Sequence, residues 1–190
     1  MTGSLCRVAT LPEIEKVLDW AAEEGWNPGL DDAAAFHAAD PEGFFIAEVA
    51  AQPVAAISVV NHSDDFSFLG LYLCLPEYRG QGIGYSLWTH ALAHAGSRTV
   101  GLDGVPEQEA NYARSGFSLV GRTRRLEGTF PVVTLSAHLA TADDRDALAN
   151  LDQRANGFAR TTFLETWTAH RASRRTVLLT AGTDIAGSAT

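Results

Sequence analysis

Between Leu75 and Trp88 the sequence LPEYRGQGIGYSLW sets Gly80, Gly82 and Gly84 directly after Arg79 and directly before an apolar run at helical spacing. Each glycine inside a helix costs about 1 kcal/mol relative to alanine, so this clustering at a helix start needs a reason. Three phosphate-binding designs place glycines at a strand-to-helix junction. A Walker A loop ends in Gly-Lys-Ser/Thr, whereas here Gly84 is followed by Tyr85 and Ser86, and that design is excluded. A dinucleotide fingerprint counted from Gly80 needs a third glycine where Tyr85 stands. Asp103 lies near the distance of a ribose-binding acid, but several strands and two helices precede the glycines, and a dinucleotide-binding unit normally opens with them. The third design reads Arg79-x-x-Gly82-x-Gly84. Small residues let backbone N–H groups converge on an anion, and the unpaired amides and dipole of the following helix add to the attraction. The plain alternative is a glycine-rich turn selected for tight packing.

The elements that must position this loop follow from periodicity. Residues 5–9 form a strand; LPEIEKVLDWAAEEG is an amphipathic helix entered at Pro12 and left at Gly25; LDDAAAFHAAD is a short second helix. GFFIAEVA and PVAAISVVN form an antiparallel hairpin turning at Ala51 and Gln52, and FSFLGLYLCL, apolar on both faces, is a buried central strand. After the glycine loop come a helix to about Ala95, a strand RTVGLDG, a helix PEQEANYARSG closed by Gly116, and a strand FSLVGRTRRLEG. The order β-α-α-β-β-β-α-β-α-β is complete near residue 128.

This loop, the topology around it and the downstream element NYARSGF resemble the GCN5-related N-acetyltransferases (GNAT) over about residues 4–128. The resemblance implies an α/β (α+β) GNAT fold, with a mixed, mostly antiparallel twisted sheet flanked by helices. It implies direct acetyl transfer from acetyl-CoA, as cosubstrate, to a primary amine of a small molecule or amino-acid-like acceptor. No acyl-enzyme is involved. The backbone of Tyr72, Leu73 and Cys74 would pair with the pantetheine arm, and the Cys74 N–H would polarise the thioester carbonyl. Arg79, Gly80, Gln81, Gly82, Ile83, Gly84 and Tyr85 would hold the pyrophosphate, with Arg79 equally readable as a solvated surface residue. Tyr112 is the candidate general acid for the departing thiolate; the alternative is simple packing. Cys74 has no adjacent histidine to activate it as a nucleophile.

The general base is less clearly marked. Leu69, Gly70 and Leu71 stand where many relatives carry a strand glutamate. Asp64, Asp65, His62, Glu23 and Glu24 are the nearby candidates, each also readable as a solvated loop charge. A catalytically weak CoA- or metabolite-binding sensor is therefore the competing function. Trp26 and Asn27, in EEGWNPGLDD between the first two helices, are the candidate acceptor wall; Trp26 is equally readable as the buried anchor of that turn.

Beyond residue 128 the pattern restarts. FPVVTLS is a strand or linker, TADDRDALANLD a helix capped by Thr141 and Asp144, RTTFLETWTAHR a second helix, and RRTVLLTAG with DIAGSAT a hairpin around Gly182. Residues 1–128 are thus read as the acetyltransferase domain and 129–190 as a partial second GNAT-like domain, a shortened form of the subgroup that carries one. Its last strand has an exposed edge, expected to belong to a longer protein or to pair with the first domain or a neighbouring subunit, which leaves a homodimer open. The second part has no R-x-x-G-x-G loop, so one CoA site is expected.

Composition sets outer bounds on the 190-residue chain. A net charge of −9 argues against general nucleic-acid binding. No apolar run approaches the roughly 18 residues of a membrane helix, and the N-terminus lacks the pattern of a signal peptide. The two cysteines, Cys6 and Cys74, match no metal or redox spacing, so no metal is expected and a cytoplasmic location is the reading.

Overall fold

The computed structural model describes residues 3–124, 126–129, 137–181 and 184–190. Its first five strands form one sheet in sequence order, β1 (Leu5–Val8), β2 (Phe44–Val49), β3 (Gln52–Asn61), β4 (Phe66–Cys74) and β5 (Thr99–Leu102). The first four pair antiparallel, and β4 with β5 pairs in parallel. This is the mixed, mostly antiparallel sheet that the sequence predicts.

Helices cover both faces because strand side chains alternate. Phe44 and Ile46 face one way, where Ile14, Val17, Leu18 and Ala21 of α1 (Leu11–Glu23) and Ala33 of α2 (Asp32–Ala39) cover them. Phe45 and Ala47 face the other way, against Ile83, Leu87, Trp88 and Ala91 of α3 (Ile83–Ala95). The α1 entry is fixed by its first turn, where the Thr10 N–H and hydroxyl both donate to Glu13 Oε2, at 2.8 and 2.9 Å. Arg7 of β1 clamps that carboxylate from outside while also donating to Glu48 of β2. This holds the Glu13 carboxyl down at about 2, chiefly through the Arg7 hydrogen bond.

Two sequence expectations are corrected. The β2–β3 turn is made by Ala50 and Ala51, not Ala51 and Gln52, and both alanines have positive φ (49° and 60°). That conformation is usually given to Asn or Gly, which is why the turn is displaced by one residue in a pattern reading. The strand expected over FSLVGRTRRLEG is absent among its described residues, 117–124 and 126–128. Leu119 and Val120 are exposed there, and among the described residues β5 pairs with β4 alone. The preceding helix is a 3-10 turn (Pro106–Gln108) leading into α4 (Glu109–Arg114), with Gly116 in the left-handed region just after it.

The C-terminal part runs β6 (Ala137–Leu139), α5 (Arg145–Asn156), α6 (Thr161–Trp167), β7 (Val177–Ala181) and β8 (Asp184–Ala189), with an antiparallel sheet ordered β6-β7-β8. Thr141 and Asp144 repeat the Thr10–Glu13 bonding. FPVVTLS and Gly182 lie outside the described residues. The helix α6 packs on α2 through a stack of rings: Phe36 lies 6.5 Å from Phe44 on one side, and 6.4 and 6.1 Å from Phe163 and Trp167.

Candidate active site

The site begins where β4 and β5 part. Their pairing runs from Phe66–Thr99 to Leu69–Leu102, so the last five residues of β4, Gly70 to Cys74, have no strand paired on that side among the described residues. A bulge marks the start of the opening: Ala56 pairs with Leu73 but Ser58 pairs with Gly70, leaving Leu71 and Tyr72 opposite Ile57 alone, with Leu71 at φ 46°. A branched, non-glycine residue held in the left-handed region is strained, and such bulges re-aim strands beside active sites.

Beyond the bulge, register decides which amides are available. The Leu75 N–H donates to the Val54 carbonyl at 2.9 Å. Antiparallel ladders alternate, so Leu73 spends its backbone groups on Ala56 while those of Cys74 turn toward the vacated side. The Cys74 carbonyl is met there by Arg79 Nε at 2.7 Å. The Cys74 N–H is thus the end-of-strand amide aimed into the cleft.

The glycine loop sits directly after. Gly80 and Gly82 have φ of 74° and 81°, and Gly82 is the residue before α3. Among the described residues, no carbonyl outside the helix accepts from the N–H of Gly80, Gln81, Gly82, Ile83, Gly84 or Tyr85. This is a cluster of unpaired donors at a helix start, the arrangement that an anion completes. The Ile83 side chain is buried in the core, so only its amide is on offer, and Tyr85 is exposed on the rim. The Gln81 side chain donates back to the Glu77 carbonyl at 2.9 Å, bracing the loop.

Gly84 serves a different purpose. A Cβ there would come within 2.8 Å of the Tyr72 hydroxyl, so the glycine lets the Tyr72 ring lie over the first turn of α3. Trp88 supports that ring edge-on at 5.2 Å and stacks on its other side against Tyr112 at 6.1 Å. Gly104 gives Tyr112 its room, because a Cβ at that position would overlap the Tyr112 ring. Sequence reasoning assigned Tyr72 a backbone role alone. Only the pairing of ring and glycine across twelve residues shows its side chain.

Three protons line this cleft, and burial holds all of them. It pushes the Tyr112 phenol up, with the Val105 N–H pulling it partly back. It pushes Tyr72 up as well, reinforced by the neighbouring Cys74 and Tyr112. It pushes the Cys74 thiol up against the pull of Arg79. At neutral pH Cys74 is therefore a thiol, a poor nucleophile, and both tyrosines are proton donors.

The structure sorts the remaining candidates by place. His62, Asp64 and Asp65 stand at the start of β4, about 25 Å along the strand from Cys74; His62 lies against Phe158, 5.5 Å away. Glu24, in contrast, is ion-paired with Arg79, which places it at the cleft end of β4. Arg79 thereby turns toward the loop between α1 and α2. Trp26, on that loop, is 39% exposed rather than buried, and Asn27 has φ 44°. Among the described residues no cluster of His, Cys, Asp or Glu could hold a metal ion, and no helix is long and apolar enough to cross a membrane.

Residues 11–117, spanning α1 through the start of the segment after α4, match the family model described as the acetyltransferase (GNAT) family. The chain belongs to the GNAT family. Among curated proteins, it is 39% identical over 162 residues to the holothin acyltransferase of Pseudoalteromonas sp. (strain SANK 73390), covering 84% of this chain and 55% of the relative. It is 28% identical over 159 residues to an uncharacterized protein of Caenorhabditis elegans, covering 75% and 50%. The chain thus spans about half the length of these relatives. Among solved structures, a Pyrococcus horikoshii chain assigned as an acetyltransferase superposes with a TM-score of 0.68 at 18% identity, over 93% of this chain and 65% of that one. Ard1 of Thermoplasma volcanium gives 0.55 at 20% identity, over 62% and 84%. These likenesses establish the GNAT fold, and the first extends well past residue 117.

Proposed function

We propose that this chain is an N-acetyltransferase that moves an acetyl group from acetyl-CoA to a primary amine of a small molecule or amino-acid-like acceptor. The observation that carries the reading is the cluster of unpaired amides from Gly80 to Tyr85, set at the end of the β4–β5 opening. The donor site fits the residues present: the amides and the α3 dipole offer positive potential for a pyrophosphate, and β4 runs on past the end of its pairing with β5. Bound acetyl-CoA supplies an acetyl thioester.

The chain's own groups do the rest. The Cys74 N–H donates to the carbonyl oxygen as it gains charge under attack by the amine nitrogen. Tyr112, protonated at neutral pH, delivers its proton to the leaving thiolate. Among the base candidates, Glu24 stands at the cleft end of β4 through its pair with Arg79, and it takes up the amine proton directly or through water. Cys74 stays protonated and forms no acyl bond, consistent with direct transfer. Trp26 and Asn27 form the acceptor wall. The acyltransferase name of the Pseudoalteromonas relative supports acyl transfer as the reaction class. The absence of a nucleic-acid partner goes with the net charge of −9, and a cytoplasmic location, no membrane partner and a partial second domain over residues 129–190 remain part of the reading.

The test is thiol release from acetyl-CoA across a panel of primary amines, with propionyl- and butyryl-CoA as competing donors. Turnover on at least one amine, fastest with acetyl-CoA, is expected. Tight CoA binding with no turnover on any amine would replace the enzyme with a sensor; preference for a longer thioester would change the donor.

A further inference from the structure

The loop between α1 and α2 is held at both ends by arginines from distant parts of the chain. At its start Arg79 pairs with Glu24. At its end Arg174, which precedes β7, pairs with Asp32, the first residue of α2. The second pair is unusual for its burial: Asp32 is 6% and Arg174 8% exposed. Two buried ions are expensive to desolvate, and a well-packed apolar pair of similar volume would hold the two units together as well or better. Simple adhesion is already provided by the Phe36, Phe163 and Trp167 stack.

What the ions add is direction. The Asp32 carboxylate faces Arg174 with Oδ1 and accepts the Gly29 N–H on Oδ2 at 2.8 Å. The loop backbone is therefore tied to a carboxylate, and that carboxylate is tied to the C-terminal unit. Arg174 is itself pinned, its guanidinium lying 4.2 Å over the Trp167 ring, and its Nη1 is buried without a partner. Gly29 follows Trp26, Asn27 and Pro28 directly.

We propose that the Asp32–Arg174 pair is a positioning device through which the C-terminal unit sets the conformation of residues 25–31, Glu24 being held separately by Arg79, and hence the acceptor preference. This rests on the reading of that loop as the acceptor wall. Neither residue touches the reacting atoms; both act through Gly29. The donor site, built from β4 and α3, lies outside their reach.

The discriminating variant is Asp32→Leu with Arg174→Met, which removes both charges together and leaves no unpaired buried ion. Asp32→Asn with Arg174→Met is the milder variant, since it too leaves no unpaired buried ion and its amide oxygen still accepts from Gly29. Hydrogen exchange of the whole chain, calorimetric binding of CoA, and steady-state kinetics with the best amine from the panel are read on each. The double variant is expected to exchange the amides of residues 25–31 at least about tenfold faster, with α3 unchanged and CoA affinity unchanged. Its acceptor KM should rise about tenfold or more, the scale of a mispositioned substrate, while kcat stays within about twofold. The Asp32→Asn, Arg174→Met variant should show a smaller effect of the same pattern. Unchanged exchange in the loop would overturn the proposal, as would an unmoved acceptor KM, or a loss of CoA affinity in step with it. Failure of the acetyltransferase reading shows itself separately, as a wild-type chain that binds no CoA or acetylates no amine.

Discussion

Tyr112 keeps its proton at working pH because its ring is wedged between Trp88 and the backbone at Gly104, and burial disfavours the phenolate. Proton transfer from it to a leaving thiolate is modestly uphill, since the thiol titrates at a reference value of about 8.5 and tyrosine at about 10. Tyr112→Phe removes the proton and keeps the packing. It should lower kcat by about 10²–10⁴-fold with CoA affinity nearly unchanged. Because the phenol is raised, its deprotonation should produce no falling limb in kcat below about pH 10. Stopped thiol-release assays across pH check both statements; a wild-type falling limb near neutrality that Tyr112→Phe abolishes would contradict them.

At the scale of elements, the α1 entry gives the clearest pH dependence. Glu13 is held at about 2 against an ordinary 4.5, first by Arg7 and then by the Thr10 donors. A depressed folded pKa stabilises the fold above the unfolded value and loses that contribution as pH falls through the folded one. Glu13→Gln should therefore lower stability by about 1 kcal/mol near neutrality, the scale of a partly exposed ion pair. The gap to wild type should close between about pH 4.5 and 2. Denaturant titrations at several pH values measure it; a gap that is constant with pH would refute the assignment.

The same scale shows what the sequence made legible. Helices α1 and α3 and the strands β2 to β4 stand out because burial imposes period 3.6 or 2 on their residues. The donor loop stands out for the opposite reason: its glycines violate helix propensity where a helix starts. The expected strand after Gly116 failed because alternation is only half of what a strand needs; Leu119 and Val120 find no face to cover. The Arg79–Glu24 and Asp32–Arg174 pairs join residues 55 and 142 positions apart. No local pattern encodes such partners, and the place of Tyr72 over Gly84 is hidden for the same reason.

Across the whole molecule, an open V between two parallel strands, a bulge that turns one amide into it, and a helix start with unpaired donors converge on one end of the sheet. The C-terminal unit braces the opposite wall through α2. All of this predicts one donor site, centred on the amides around Gly82. The direct measurement is calorimetric binding of CoA and of pantetheine to wild type, Gly82→Asn and Gly82→Asp. Asn tolerates the left-handed backbone at that position, so the Asn–Asp comparison isolates the charge. CoA should bind the Asp variant at least about tenfold more weakly than the Asn variant, since like charges repel at short range, while pantetheine, which has no pyrophosphate, should bind both alike. Equal CoA affinity for the two variants would contradict the placement of the pyrophosphate and, with it, the donor site.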